Sequence, residues 1–202
     1  MRAILIALAL MAAAPALAGD LLTAPPSPPV SPSDVDSLSK AGFARSFVVG
    51  AITGTLGDMP LSRFVSQAKA GKVETMSGNG VAMSWACYDV AGVRAWLSVT
   101  DEMGNGKSVD TITLKPRDMA SSNTCAPLAS QQAPVVDGAI RIGMTKADLI
   151  ARLGSPSKQK AGWLVFRANP SIKSGGSFFT TLIVRIDNGK VAFIEASNTS
   201  AD

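Results

Sequence analysis

The clearest pattern of apolar and polar positions lies in the second half of the chain. Ala139-Ile140-Arg141-Ile142-Gly143 leads into Met144-Thr145-Lys146-Ala147-Asp148-Leu149-Ile150-Ala151-Arg152-Leu153-Gly154-Ser155-Pro156. Leu149, Ile150 and Leu153 form the apolar stripe of a short helix. Thr145 is placed to cap its start, with Asp148 at the third helical position to complete a capping box, and Met144 and Leu149 occupy hydrophobic-staple positions. Gly154 suits the left-handed end, and Pro156 blocks continuation. Strand patterns follow at 162–168 and 178–186. Asp187-Asn188-Gly189 then turns the chain into a third strand at 191–196.

The first half repeats this order. Residues 59–68 place apolar side chains at 61, 64, 65 and 68, as a helix requires, and strand patterns follow at 81–88, 93–99 and 109–114, with a turn at 104–107. Trp85-Ala86-Cys87-Tyr88 aligns with Trp163-Leu164-Val165-Phe166, and Ile112 with Ile194, at a period of about 80 residues. The pattern predicts an α+β protein of two tandem units, each a short helical segment packed on an antiparallel β-sheet. The first unit covers 38–114 and the second 139–197, joined by a connection at 115–138 and followed by a tail at 198–202. Residues 47–52 fit either a strand or the start of a helix.

The N-terminus changes the picture from fold to location. Met1-Arg2, the apolar run 3–14 and the small-x-small sequence Ala16-Leu17-Ala18 form a signal peptide over 1–18. The competing reading is a membrane anchor, but a span needs about 20 apolar residues, and Pro15 interrupts this run. No cysteine follows the cut, so no lipid anchor is expected, and no later segment has the length of a membrane span. Residues 19–37, rich in proline and serine, read as an extended spacer. The expected location is the periplasm or the extracellular space.

Composition then narrows the chemistry. Without Arg2 the chain carries 18 basic residues against 15 acids, and no Lys/Arg cluster supports nucleic-acid binding. Two cysteines, Cys87 and Cys125, in an exported chain favour one disulfide over two buried free thiols. Closing that 39-residue loop would contribute roughly 4 kcal/mol in the loop-entropy description.

There is no histidine, which excludes Ser-His-Asp and Cys-His catalysis and removes the commonest metal ligand. Ser155-Pro156-Ser157-Lys158 and Lys173-Ser174-Gly175 match S-x-x-K and K-T-G elements only in outline, because Ser155 follows a helix end instead of opening one. Gly106-Lys107-Ser108 lacks the earlier glycine of a phosphate-binding loop. The adjacent acids Asp101 and Glu102, and Asp34 and Asp36 in the spacer, lack the spacing of a calcium loop. No cofactor or metal is expected.

Gly143-Met144-Thr145, Leu153-Gly154-Ser155-Pro156 and the Trp163 strand, followed by two strands and a glycine turn, carry a family resemblance over about residues 139–197. This segment resembles the small envelope domain shared by the outer-membrane assembly lipoprotein family (the SmpA/OmlA type) and the β-lactamase-inhibitor protein family. The first half matches less well, with Pro60 where Thr145 stands and Ala68-Lys69 where Leu153-Gly154 stand. The resemblance implies tandem helix-on-sheet units and non-catalytic binding of another envelope or secreted protein. It does not carry over β-lactamase inhibition, since no enzyme-contacting residues can be placed.

Strand alternation nominates the binding face. If Val93, Ala95, Leu97 and Val99 meet the helices, Arg94 and Trp96 point away. Likewise Ile183 and Arg185, and Val191, Phe193 and Glu195, face outward, while Trp85 and Trp163 are assigned to the cores. The expectation is an open face presenting Trp96, Arg94, Ile183, Arg185 and Phe193, an anchor set typical of interfaces. The alternatives are that the spacer or a second sheet covers it, or that the chain is a small hydrolase drawing a carboxylate pair from Asp89, Asp101, Glu102 and Asp110.

Overall fold

The computed structural model describes residues 24–31, 43, 45–78, 80–101, 107–117, 125–168, 171–173 and 176–201; the expected signal peptide at 1–18 and Glu102 lie outside them. The architecture is α+β and mostly antiparallel. Two short helices, α1 (Leu61–Ala68) and α2 (Lys146–Leu153), accompany thirteen strands among the described residues.

The strands of the first half are β1 (Ser46–Val49), β2 (Ile52–Thr55), β3 (Glu74–Gly78), β4 (Val81–Val90), β5 (Val93–Asp101) and β6 (Thr111–Pro116). Then come β7 (Ala126–Pro127), β8 (Val135–Val136), β9 (Lys158–Lys160), β10 (Trp163–Arg167), β11 (Ser171–Lys173), β12 (Gly176–Asp187) and β13 (Lys190–Ala201). The large sheet runs β3-β4-β5-β6-β13-β12-β10-β9, with β11 beside β12 and β7 beside β4; β2-β1-β8 form a small sheet. The last strands of the two halves, β6 and β13, meet antiparallel at the sheet's centre, with Thr113 opposite Glu195.

The residues 47–52 thus resolve as a tight hairpin and not a helix start. Phe47 lies across Gly54, where a β-carbon would come within 2.3 Å of its ring, so only glycine fits there. The connection contributes β8 to this small sheet.

One buried cluster fills the space between the large sheet and the layer of helices and small sheet. It takes Ala86, Tyr88, Leu97, Ile112, Leu114, Phe166, Leu182, Val184 and Ile194 from one face of the large sheet. Phe64 of α1 sits between Phe47 and Tyr88, at centroid distances of 6.2 and 5.3 Å. Tyr88 donates its hydroxyl to the Ala70 carbonyl at 3.2 Å, and burial pushes its phenol up to about 12.

Helix α2 starts as its sequence requires. Thr145 Oγ1 accepts the Asp148 N–H at 3.1 Å and donates to the Asp148 carboxylate at 2.7 Å. The acid therefore holds the capping hydroxyl rather than the backbone N–H of a reciprocal box. Asn188 and Gly189, both at positive φ, make the two-residue turn between β12 and β13. A register shift after Arg185 follows. It turns Val191 into the core, where unbroken alternation had put it outside. No helix among the described residues is long and apolar enough to cross a membrane.

Candidate binding face

The pairing of β4, β5, β6, β13, β12 and β10 lines up side chains in rows across the face that points away from the helices. The central row is Cys87, Trp96, Thr113, Glu195, Ile183 and Val165. On one side lies a more polar row of Trp85, Ser98, Thr111, Ser197, Thr181 and Arg167. On the other side stand Asp89, Arg94 and Lys115, and beyond them Phe193, Arg185 and Trp163. The five residues nominated from sequence therefore do share one face.

Their exposure differs from the expectation. Arg185 is exposed, but Trp96, Arg94, Ile183 and Phe193 are only 3, 4, 1 and 8 % accessible. Neighbouring side chains account for part of this. The Lys115 ammonium lies 5.6 Å from the Trp96 ring centroid, and the Arg185 guanidinium 5.9 Å from that of Trp163. Trp163 meets Phe193 edge-on at 5.3 Å. Arg94 is drawn down by a two-point bond to Asp89, at 2.8 and 3.1 Å, and Arg117 reaches the same carboxylate at 3.3 Å.

Trp85 and Trp163 also belong to this face rather than to the core. In β4 the residues turned toward the helices are Ala86, Tyr88 and Val90, so Trp85 takes the opposite parity. The Trp85 indole nitrogen is buried with no hydrogen-bond partner. All three tryptophans of the chain thus lie on one face.

Cys87 and Cys125 form the expected disulfide, with Cα atoms 5.0 Å apart. It ties the connection to the sheet at the end of the central row, beside the parallel pairing of β7 with β4.

Two acids have raised pKa values. Burial pushes Glu195 up to about 7. Burial also raises Asp110, against the hydrogen bonds it accepts from Thr100 and Thr111. The two do not work as a pair. Asp110 turns toward the Thr100 N–H at the sheet end, whereas Glu195 stands on the outer face in a row without another acid. Asp89 is neutralised by Arg94 and Arg117. Ser155 is exposed past the end of α2 and Lys158 lies in β9, so no helical turn joins them as S-x-x-K chemistry requires. Among the described residues, no group of three or more His, Cys, Asp or Glu side chains could hold a metal.

No family model, curated protein or solved structure matches this chain. Its chemistry therefore has to be read from the face itself. Sequence reasoning passed over Glu195 as one outward residue among several. Its signal was present, as the lone acid in the apolar strand Val191-Ala192-Phe193-Ile194-Glu195-Ala196.

Proposed function

We propose that this chain is a non-catalytic, exported protein-binding module, acting in the periplasm or outside the cell in envelope assembly or in restraint of an envelope enzyme. The observation that carries the reading is the outer face of the large sheet. An aromatic and aliphatic centre of Trp96, Ile183 and Phe193 is edged by the cations Lys115, Arg117 and Arg185. That centre is at most 8 % accessible without a partner, so the accessible charged rim, which sets orientation and encounter rate, carries the first contact. The two acids that burial raises, Glu195 and Asp110, stand on different parts of the sheet, which supports binding over the carboxylate-pair hydrolase.

The tandem-unit reading, and with it the likeness to the inhibitor-protein family, is part of this proposal. It is supported by the strand order, which reads outward as a meander on either side of the β6–β13 contact. It is also supported by the pairing register. A two-fold axis through the Thr113–Glu195 pair would exchange Trp85 with Trp163, Tyr88 with Phe166 and Ile112 with Ile194. These are the matches made from sequence.

Affinity capture from envelope extract tests the binding reading. Wild-type chain is compared with Lys115→Glu plus Arg185→Glu, which reverses the rim charge at partly solvated positions. Arg45→Glu, remote from the face and paired with Asp58, is the control. The partner should be retained by wild type and the control and lost by the double variant. Equal retention by all three would exclude the outer face.

A further inference from the structure

We infer that β3, the open edge of the large sheet, is a self-association site, where it pairs antiparallel with β3 of a second copy of this chain about a two-fold axis at Met76. Exposure, the contrast between the two ends of the sheet and the strand's own register each point to it.

Among the described residues the exposed large hydrophobic side chains are Val73, Met76 and Val81, at 43, 43 and 40 % accessible. All lie on the β3–β4 hairpin or one residue before it. Thr75, Met76, Ser77 and Gly78 are exposed in succession. Successive side chains point to opposite faces, so neither face of the strand is covered. A β-carbon added at Gly78 would meet no atom within 4 Å. β4 takes one side of β3, and no described strand takes the other.

The opposite end of the sheet is guarded. β9 is short and reads Lys158-Gln159-Lys160. Pairing it with itself about Gln159 would set Lys158 against Lys160 of the second copy, and like charges directly opposite repel. β3 has neither lysine nor proline in Glu74-Thr75-Met76-Ser77-Gly78. Its one charge, Glu74, is held by Lys72 at 3.2 Å.

The register shows what the open edge can take. Residues 79 and 80 alone separate Gly78 from Val81, which makes these two the hydrogen-bonded pair that closes the hairpin. Alternation gives Met76–Met83 and Glu74–Trp85 the same pattern. Thr75 Oγ1 lies 2.9 Å from Ser84 Oγ, in keeping with the closer side chains of a non-hydrogen-bonded pair. Thr75 and Ser77 therefore aim their N–H and C=O groups away from β4. A two-fold axis at Met76 sets Thr75 opposite Ser77 of the second copy, where these groups satisfy one another in both directions. It sets Glu74 opposite Gly78, so no acid faces an acid, and it sets Met76 against Met76. Met76 and Met83 stand on the outer side of the sheet with Trp85. The axis thus builds one row of methionines across both copies, and thioethers adapt readily to such a contact. The pairing also joins the two outer faces into one continuous surface.

Both native cysteines are in the disulfide, so a single introduced thiol reports on this contact. Under mild oxidation Met76→Cys should form a disulfide-linked dimer many times faster than Val73→Cys, an equally exposed control. Two copies of position 76 face each other, within the roughly 7 Å between Cα atoms that a disulfide tolerates. Two copies of position 73 lie about 20 Å apart along the strands. Equal rates for the two variants, or no dimer from Met76→Cys, would overturn the pairing.

Sedimentation equilibrium tests the same contact without a new thiol. Wild type should approach twice the monomer mass as concentration rises. Met76→Lys, which sets two ammonium groups face to face on the axis, should stay monomeric with unchanged thermal unfolding. A monomer at every concentration in wild type, or undiminished association in the lysine variant, would equally overturn it. Neither failure touches the outcome of affinity capture by the outer face.

Discussion

Replacing Glu195 with glutamine should make the protein more stable, and by an amount that depends on pH. The side chain stands between Thr113 and Ile183 in the outer row, and burial lifts its carboxyl from an ordinary 4.5 to about 7. The folded state therefore holds the proton more tightly than the unfolded chain. Between these values the unfolding free energy falls as pH rises, by about 1.4 kcal/mol per pH unit. Above pH 7 the buried carboxylate then costs up to about 3 kcal/mol, less whatever solvent reaches it. Glutamine keeps the shape and removes the charge. Urea denaturation of wild type and Glu195→Gln at pH 4.5, 6, 7 and 8 measures the difference. The curves should nearly coincide at pH 4.5 and separate progressively, with the variant ahead by about 2–3 kcal/mol at pH 8. A gap that stays constant with pH, or a variant weaker at pH 8, would refute the reasoning.

Three further outcomes follow from the packing. Cys87→Ser with Cys125→Ser should lower unfolding free energy by about 3–4 kcal/mol, as should reduction of wild type, read by denaturant titration with and without reductant. Arg94→Met should cost about 3 kcal/mol by stranding much of the Asp89 charge in a buried site, and pairing it with Asp89→Asn should recover most of the loss in thermal unfolding. Thr145→Ala removes the hydroxyl that accepts the Asp148 N–H and should cost about 1 kcal/mol, with the spectroscopic helix signal preserved.

The elements that could be read in the sequence are those whose ends carry local chemistry. Thr145, Gly154 and Pro156 delimit α2, and Asn188-Gly189 sets the β12–β13 turn, because each acts within a few residues of itself. The parity of β5 and β12 was also legible, since Val93, Ala95 and Leu97, or Leu182 and Val184, alternate without interruption. The bulge after Arg185 was not, because it is set by the pairing partner, and so Val191 moved inward. β3 and β9 were invisible for a related reason. Glu74–Gly78 and Lys158–Lys160 are polar edge strands, defined only by β4 and β10 beside them. For the candidate face, sequence identified which side chains share a side. It could not reveal how deeply they lie, because accessibility depends on what crosses above them. Trp85 was misplaced because it shares its parity with the apolar Val81, Met83 and Cys87, whereas the core takes the other side of β4 through Ala86, Tyr88 and Val90.

The central position of β13 has a consequence for how the molecule is made. This strand is made after every other strand of the large sheet, yet it joins the sheet's two halves, pairing Ser197 with Thr111 and Ile194 with Leu114. Until it arrives, β6 and β12 present naked edges, and the first half is a half-sheet with an incomplete core. Strands so distant in sequence pair late and slowly, so an emerging chain passes through a prolonged unfinished state. That delay carries an aggregation hazard at the two bare edges. It also keeps the chain in an open, threadable form until β13 has been made.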